Sequence, residues 1–162
     1  MTDPDGLTLR PLRPEDREIE LAFVSGLSPE TRSDRLLGGA KAITREYIES
    51  LVSVDYSRDM ALAATTLLGG ETLIGVARYV LDKSNESAEF AIVVADAWQG
   101  RGIGKRLLAK LIEVARQRGV KRLYGEVLGT NRPMLEFVRK LGFTLERHDD
   151  PTLTRATLEL GR

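Results

Sequence analysis

The fold is decided by residues 93–111, VVADAWQGRGIGKRLLAKL. An apolar run ends at Ala95, and three glycines then follow at alternate positions, Gly100, Gly102 and Gly104. The remainder is basic and rich in leucine, which is typical of an amphipathic helix. Glycines between a strand and a helix let the backbone approach a ligand closely, and the free N–H groups of a helix N-terminus bind phosphates. The stretch therefore predicts a phosphate-binding turn.

Two common nucleotide-binding loops are excluded by the residues around this turn. A dinucleotide fingerprint requires G-x-G-x-x-G, and Lys105 stands where its third glycine is needed. A Walker loop requires G-x-x-x-x-G-K-[ST], and Gln99 and Arg106 replace its first glycine and its hydroxyl residue. What remains is a turn whose N–H groups converge near Arg101 and Lys105, which suits a pyrophosphate without a metal. The alternative interpretation is a glycine-rich turn that binds no ligand.

Outward from this turn, the pattern of apolar residues predicts a sheet flanked by helices. Alternation predicts strands at 7–13, 59–67, 71–81, 87–95, 121–128, 142–148 and 152–160. Helical spacing predicts helices at 14–27, 44–52, 103–118 and 131–141, and a further one between Ser28 and the pair Gly38-Gly39. We therefore expect an α/β (α+β) fold in one domain, with a mixed, mostly antiparallel sheet of about seven strands and about four to five helices.

Composition limits the classes of protein to which the chain belongs. The 162 residues, 42% apolar and 30% charged, fit one ordinary globular domain. The absence of cysteine excludes disulfides and thiolate zinc sites, and a single histidine excludes a multi-histidine site, so we expect no metal. No apolar run reaches the ~18–20 residues that cross a bilayer, and the acidic start differs from a secretory leader. We expect a cytoplasmic protein with no membrane partner.

Charge is distributed unevenly along the chain. Residues 1–95 carry a net charge of −6, residues 96–147 carry +7 and residues 148–162 carry −1, so the total is zero. One interpretation is that helix surfaces simply need charges; the other is that a basic half holds a polyanionic ligand and an acidic half faces a cationic one. The neutral total and the few aromatic residues argue against a nucleic-acid partner.

At the glycine turn the sequence resembles a known family. QGRGIG at 99–104 is similar to the Q/R-x-x-G-x-G/A signature of the GNAT superfamily of acetyl-CoA-dependent N-acetyltransferases. AEFAIVVADAWQGRGIG with GTNRPML is most similar to the acetyltransferase module of bacterial protein-lysine acetyltransferases. The predicted elements follow the family's order, so the resemblance implies a single GNAT domain over residues 1–162. It also implies an amine acceptor, either a protein lysine or a small molecule. The monomer and the homodimer both stay open.

The resemblance implies where acetyl-CoA, the co-substrate, binds. The pyrophosphate is expected on the backbone N–H groups of the turn, and the pantetheine is expected to pair like an extra strand with the backbone of the preceding strand. Asn131 is expected near the pantetheine and the sulfur. The cofactor-binding residues so implied are Ile92, Val93, Val94, Gln99, Gly100, Arg101, Gly102, Ile103, Gly104, Lys105 and Asn131.

Transfer of an acyl group to an amine requires a base, because the amine must be neutral. Glu89 is the candidate: it interrupts the apolar run SAEFAIVV, and many GNAT members place a general-base glutamate on this strand. We expect it in a poorly hydrated cleft. Glu126 on the next strand is the second carboxylate, as base, as amine anchor or as a solvated residue, and the last role is favoured. A backbone N–H near Val93 and Val94 is expected to meet the developing oxyanion.

One position departs from the family pattern. Many members have a tyrosine that protonates the leaving thiolate, and Val138 occupies this place in EFVRKLGF. Tyr124 is a weak substitute, or no acid is needed, because a thiol of pKa ~8.5 is a fair leaving group. Because this tyrosine is missing, a non-catalytic acyl-CoA-binding or regulatory module is the alternative function. His148, in ERHDDP, is interpreted as a solvated turn residue, and Trp98 as packing the turn.

Overall fold

The computed structural model describes residues 6–28, 43–67 and 69–161. Within these ranges the helices are α1 (Arg17–Ser25), α2 (Arg45–Val52), α3 (Ile103–Gln117) and α4 (Arg132–Lys140). The strands are β1 (Leu7–Pro11), β2 (Met60–Thr66), β3 (Thr72–Leu81), β4 (Ser87–Val94), β5 (Arg122–Leu128), β6 (Thr144–Arg147) and β7 (Leu153–Glu159). The helix predicted between Ser28 and Gly39 lies outside the described residues for most of its length. None of the described helices is long and apolar enough to cross a membrane.

The seven strands form one sheet in the order β1-β2-β3-β4-β5-β7-β6. Every neighbouring pair is antiparallel except β4 and β5, which run parallel and pair only from Ser87–Arg122 to Glu89–Tyr124. The mixed, mostly antiparallel sheet predicted from the sequence is thus confirmed. Beyond this short parallel contact, the C-terminal halves of β4 and β5 do not pair with each other, although β4 stays paired with β3 and β5 with β7.

The two faces of the sheet pack against different helices. Phe90 and Leu123 belong to the larger core, together with the apolar stripe of α3. Val93 belongs to a second core, together with Phe23 of α1 and Ile48 of α2. Side chains alternate between the two faces of a strand. Glu89 and Glu126 therefore lie on the face of α1 and α2, opposite α3.

The start of α3 depends on glycine for its conformation. Gly100 and Gly102 have φ values of 79° and 81°, and Gly102 is the N-cap of α3. A Cβ added at either position would meet no atom within 4 Å, so the left-handed backbone, not lack of space, requires glycine. Gly119, with φ 81°, follows the end of the helix as predicted.

A close contact between β4 and β5 shapes the sheet where the two strands separate. A Cβ at Gly125 would lie 2.6 Å from Cε2 of Phe90, so the Phe90 ring occupies the place of a side chain on β5. This ring also packs edge-on against Phe143, with 5.6 Å between the ring centroids. Gly125 thus lets a large aromatic ring fill the core directly beneath the opening between the strands.

Candidate active site

A cleft of about 650 Å³, the large cleft, opens between β4, β5 and the start of α3. Its walls include all but one of the residues predicted to bind acetyl-CoA. These are Ile92, Val93, Val94, Gln99, Gly100, Gly102, Ile103, Gly104, Lys105 and Asn131. Arg101 is the exception: its guanidinium carbon lies 4.7 Å from the ring centroid of Trp98, which itself packs against the core and lines the cleft.

The N-terminus of α3 supplies hydrogen-bond donors to this cleft. The first N–H within the helix to find a carbonyl partner is that of Arg106, which donates to Gly102 O at 3.1 Å. The glycine N-cap has no side chain to accept from the N–H groups of residues 103–105. Three donors and the positive end of the helix dipole therefore lie at the glycine turn, with Lys105 in the cleft wall. This arrangement suits a pyrophosphate.

The backbone of β4 presents polar groups to the opening. The Ala95 N–H donates to Ile74 O on the β3 side, and polar groups alternate in direction along an antiparallel strand. By this alternation Ile92 and Val94 direct their N–H and C=O groups toward the opening, while Val93 directs its groups toward β3. The Gln99 side chain donates to Val94 O at 3.0 Å. The extra-strand pairing predicted for Ile92–Val94 is therefore available at Ile92 and at the Val94 N–H, and not at Val93.

A second space of about 300 Å³, the small cavity, adjoins the large cleft. Ile92, Leu128, Asn131 and Met134 line both spaces. Seven further residues line the small cavity but not the large cleft: Arg78, Val80, Glu89, Phe90, Ala91, Glu126 and Val127. Asn131 is the N-cap of α4, and its Oδ1 accepts from the Met134 N–H at 3.3 Å, so the start of α4 contributes to the shared wall. The two carboxylates predicted from the sequence thus meet in one cavity beside the cleft.

Glu89 differs from its prediction in one respect. It lines the small cavity and pairs in register with Val80 on β3 and with Tyr124 on β5. Its side chain is exposed, however, whereas a poorly hydrated carboxylate was expected. The reason is its position, because Glu89 is the last residue of β4 paired with β5, at the point where the two strands begin to separate.

Glu126 and His148 form a hydrogen-bonded pair that contradicts two predictions. The His148 Nδ1 accepts from the Asp150 N–H at 2.9 Å, so the Nε2–H of the neutral ring donates to Glu126 Oε2. The Glu126 side chain is only 8% exposed, so it is not a solvated strand residue. The histidine is likewise not a solvated turn residue, since the turn ERHDDP folds its ring onto β5.

Neither Tyr124 nor residue 138 provides an acid in the two spaces. The Tyr124 hydroxyl donates to Asp82 Oδ2 at 3.3 Å, and its ring lies 5.0 Å from the Arg155 guanidinium carbon. Burial raises the pKa of Tyr124. Tyr124 lines neither the large cleft nor the small cavity, so it is a poor substitute for the family tyrosine. Val138 is fully buried in the larger core.

An ion pair that sequence reasoning missed lies behind the small cavity. Arg78 lines the cavity, donates from Nη1 to Leu51 O at 3.1 Å, and has Nη2 3.7 Å from Glu20 Oε1. Glu20 is almost fully buried, and burial raises its pKa to about 7 even though Arg78 opposes the shift. Its carboxylate oxygens accept no hydrogen bond from the described residues. The burial of Glu20 could have been predicted from its spacing of three and four residues to Phe23 and Val24, which places all three on the inner face of α1.

Comparison with known proteins identifies the family to which the chain belongs. Residues 38–143 match the acetyltransferase (GNAT) family, so the chain belongs to this family of acetyl-CoA-dependent acetyltransferases. It is similar to acetyltransferase PA5475 of Pseudomonas aeruginosa, with 36% identity over 93% of this chain and 81% of that protein. The resemblance described from the sequence is thereby confirmed.

Two further relatives carry the name Pat. The chain is 37% identical to acetyltransferase Pat of Mycolicibacterium smegmatis over 87% of this chain but only 42% of that longer protein. The GNAT domain of S. lividans PAT superposes with a TM-score of 0.80 at 29% identity, covering 94% of this chain and 89% of that one. The similarity to Pat acetyltransferase modules supports the subgroup inferred from the sequence.

Proposed function

We propose that this domain transfers the acetyl group of acetyl-CoA directly to an amine, with Glu89 as the general base. One observation carries the proposal: the large cleft, with its backbone donors, meets the small cavity, with its carboxylates, at a shared wall. The cleft suits a long anionic ligand, and the cavity suits a cationic one. A ligand that reaches the shared wall from the cleft would bring its end to the acceptor.

The large cleft fits acetyl-CoA by its chemistry. The N–H groups of residues 103–105 and the ammonium of Lys105 would hold the pyrophosphate, and Ile92 and Val94 would hold the pantetheine arm through their backbone groups. Asn131 would stand at the inner end of the arm. Acetyl-CoA supplies an activated acyl group, and a backbone N–H of β4 that is directed toward the opening would meet the developing oxyanion.

Glu89 would remove the proton that keeps the acceptor amine unreactive. An amine with a pKa of about 10.4 must be deprotonated at neutral pH, which costs about 4.6 kcal/mol at pH 7. A carboxylate beside the amine lowers this barrier directly or through a water molecule. The exposure of Glu89 is compatible with this task, because bound substrates would cover it on the cavity side.

We assign no residue to protonation of the thiolate. Val138 is buried and apolar, and Tyr124 is bonded to Asp82 outside both spaces. A thiol with a pKa of about 8.5 leaves without help near neutral pH. The acceptor would be a protein lysine or a small amine, and the similarity to the Pat modules supports the former.

The experiment is a thiol-release assay with acetyl-CoA against lysine-bearing proteins, polyamines and amino acids, run on the wild type and on Glu89→Gln. We expect the variant to lose about 10²–10⁴-fold in kcat, the range of general-base catalysis, with unchanged affinity for acetyl-CoA. Glu86→Gln is the matched control, because Glu86 is exposed, pairs with Lys121 and lines neither space. Near-wild-type turnover of Glu89→Gln would refute the base. Tight acetyl-CoA binding without transfer to any amine would favour the non-catalytic module.

A further inference from the structure

We propose that Glu126, held in position by His148, is the carboxylate that binds the cationic acceptor, and that the site takes an ammonium on an apolar arm without a neighbouring carboxylate. The inference rests on the proposed function, since it concerns the acceptor of the same site. It assigns Glu126 a task different from that of Glu89.

The charges of the small cavity carry the first step. Two carboxylates, Glu89 and Glu126, face the cavity, whereas among the described residues its wall holds one cation, Arg78. A ligand carboxylate would meet repulsion from two sides, whereas an ammonium would be attracted. Free amino acids are therefore disfavoured, and the side chain of a lysine within a peptide, or a simple alkylamine, is favoured.

The apolar surface of the cavity carries the second step. Val80 is 52% exposed and Leu128 37% exposed, although both are apolar. Both line the small cavity: Val80 on β3 lies beside Glu89 of β4, and Leu128 lies at the shared wall. A methylene chain that leads to the ammonium would cover this surface and remove it from water.

The His148 pair carries the third step. Its ring is fixed by the Asp150 N–H on one side and donates to Glu126 on the other, so the carboxylate is held at the cavity wall. A carboxylate that accepts a fixed N–H donor is held in one place for a cation. Glu89 is exposed where β4 and β5 begin to separate, and it suits proton removal instead. Glu126 thus binds the acceptor, and His148 is a positioning residue.

The test measures acceptor binding apart from chemistry. Calorimetry of the enzyme–CoA complex uses two lysine probes, Nα-acetyl-lysine methylamide and its carboxylate counterpart Nα-acetyl-lysine, and also n-butylamine. We expect the methylamide to bind at least threefold more tightly than the carboxylate form. Glu126→Gln should weaken methylamide binding at least tenfold, whereas Glu89→Gln, which removes a charge but not the anchoring carboxylate, should weaken it clearly less. Tighter binding of the methylamide than of butylamine assigns a peptidyl acceptor, and the reverse order assigns a free alkylamine.

The role of His148 has its own variant pair. His148→Leu removes the donor to Glu126, and His148→Gln offers an amide N–H in its place. We expect the leucine variant to raise the KM for the amine about tenfold with kcat and the KM for acetyl-CoA nearly unchanged, and the glutamine variant to recover most of this loss. Equal behaviour of the two variants overturns the positioning role.

Other outcomes separate this proposal from the proposed function. A Glu126→Gln variant that loses kcat but still binds the methylamide overturns the anchoring role. Failure of the wild-type complex to bind any probe does so as well. If Glu89→Gln stays active while Glu126→Gln loses acceptor binding, the assignment of the base fails and the acceptor site stands.

Discussion

The large cleft and the small cavity adjoin each other but are built in different ways. The cleft is made mostly by one continuous stretch, residues 92–105, and its polar groups belong largely to the backbone. The small cavity is made by side chains from separate strands, with Arg78 on β3, Glu89 on β4 and Glu126 on β5. A backbone site depends on the absence of side-chain bulk, whereas a side-chain site depends on strand register and on distant supports. Different substitutions should therefore impair ligand binding in the large cleft and in the small cavity.

The largest effect is expected where bulk enters the cleft. Gly104 lies in its wall, and an added Cβ would contact Met134, Val94 and Ile92 at 3.6–3.8 Å, which is ordinary packing. Gly104→Leu would extend beyond this contact into the space for the ligand. We expect the Kd for acetyl-CoA to rise at least ~100-fold, about 2.7 kcal/mol, without loss of helix stability, because leucine favours helices more than glycine does.

Titration calorimetry with acetyl-CoA measures this change, and Gly104→Ala is the control that should bind nearly as the wild type does. If Gly104→Leu binds acetyl-CoA as tightly as the wild type does, the large cleft is not the cofactor site.

The next effect concerns the buried support of the small cavity. The pKa of Glu20 is raised to about 7, so folding takes up a proton between its unfolded value and this pH. The stabilising contribution of this group is then fully present below its unfolded pKa of 4.5 and is lost as the pH rises from there through 7. Between pH 5 and 8 the loss from this group is about 2 kcal/mol, and Glu20→Gln should not show it.

Urea unfolding of the wild type and of Glu20→Gln at the two pH values measures the difference. Glu18→Gln is the control, because Glu18 is exposed on the same helix. If the stability difference between wild type and Glu20→Gln is the same at both pH values, Glu20 does not titrate in this range.

The smallest effect is expected at the edge of the acceptor side. Thr44 caps α2, and its Oγ1 accepts from the Tyr47 N–H at 3.0 Å. Thr44→Ala should cost about 1 kcal/mol of folding stability, and Thr44→Ser should keep most of it. Thermal unfolding measures the loss. Because α2 supplies Leu51 O to Arg78 and no group to the cleft, the Kd for acetyl-CoA should stay constant. A parallel loss of acetyl-CoA affinity would contradict the separation of the two regions.

The same contrast explains how much could be predicted from sequence. The glycine turn and α3 were predicted closely, because φ preference and helical spacing act over a few residues. Glu89 was placed on its strand for the same reason. His148 was misjudged, because its contact with Glu126 spans 22 residues and depends on how β5, β7 and β6 pair.

The Glu20–Arg78 pair was missed for a related reason. Glutamate and arginine are usually exposed, and only the packing of α1 over β3 shows that these two are buried together. A helical wheel of α1 places Glu20 inward with Phe23, but it does not reveal the partner. Long-range pairing is therefore the step at which reasoning from the sequence reached its limit.

The brief contact between β4 and β5 has a mechanical consequence. Four strands on one side and three on the other are joined within the sheet by only three residue pairs, at the end near Ser87. The sheet thus resembles two leaves hinged at one end. A ligand that hydrogen-bonds to Ile92 and Val94 on β4 and also contacts the start of α4, which follows β5, would link the two parts of the sheet at the end where they separate. Binding of acetyl-CoA would then also fix β4 and β5 relative to each other. The residues of β5 that line the acceptor cavity would therefore be held in place only when the acyl donor is bound.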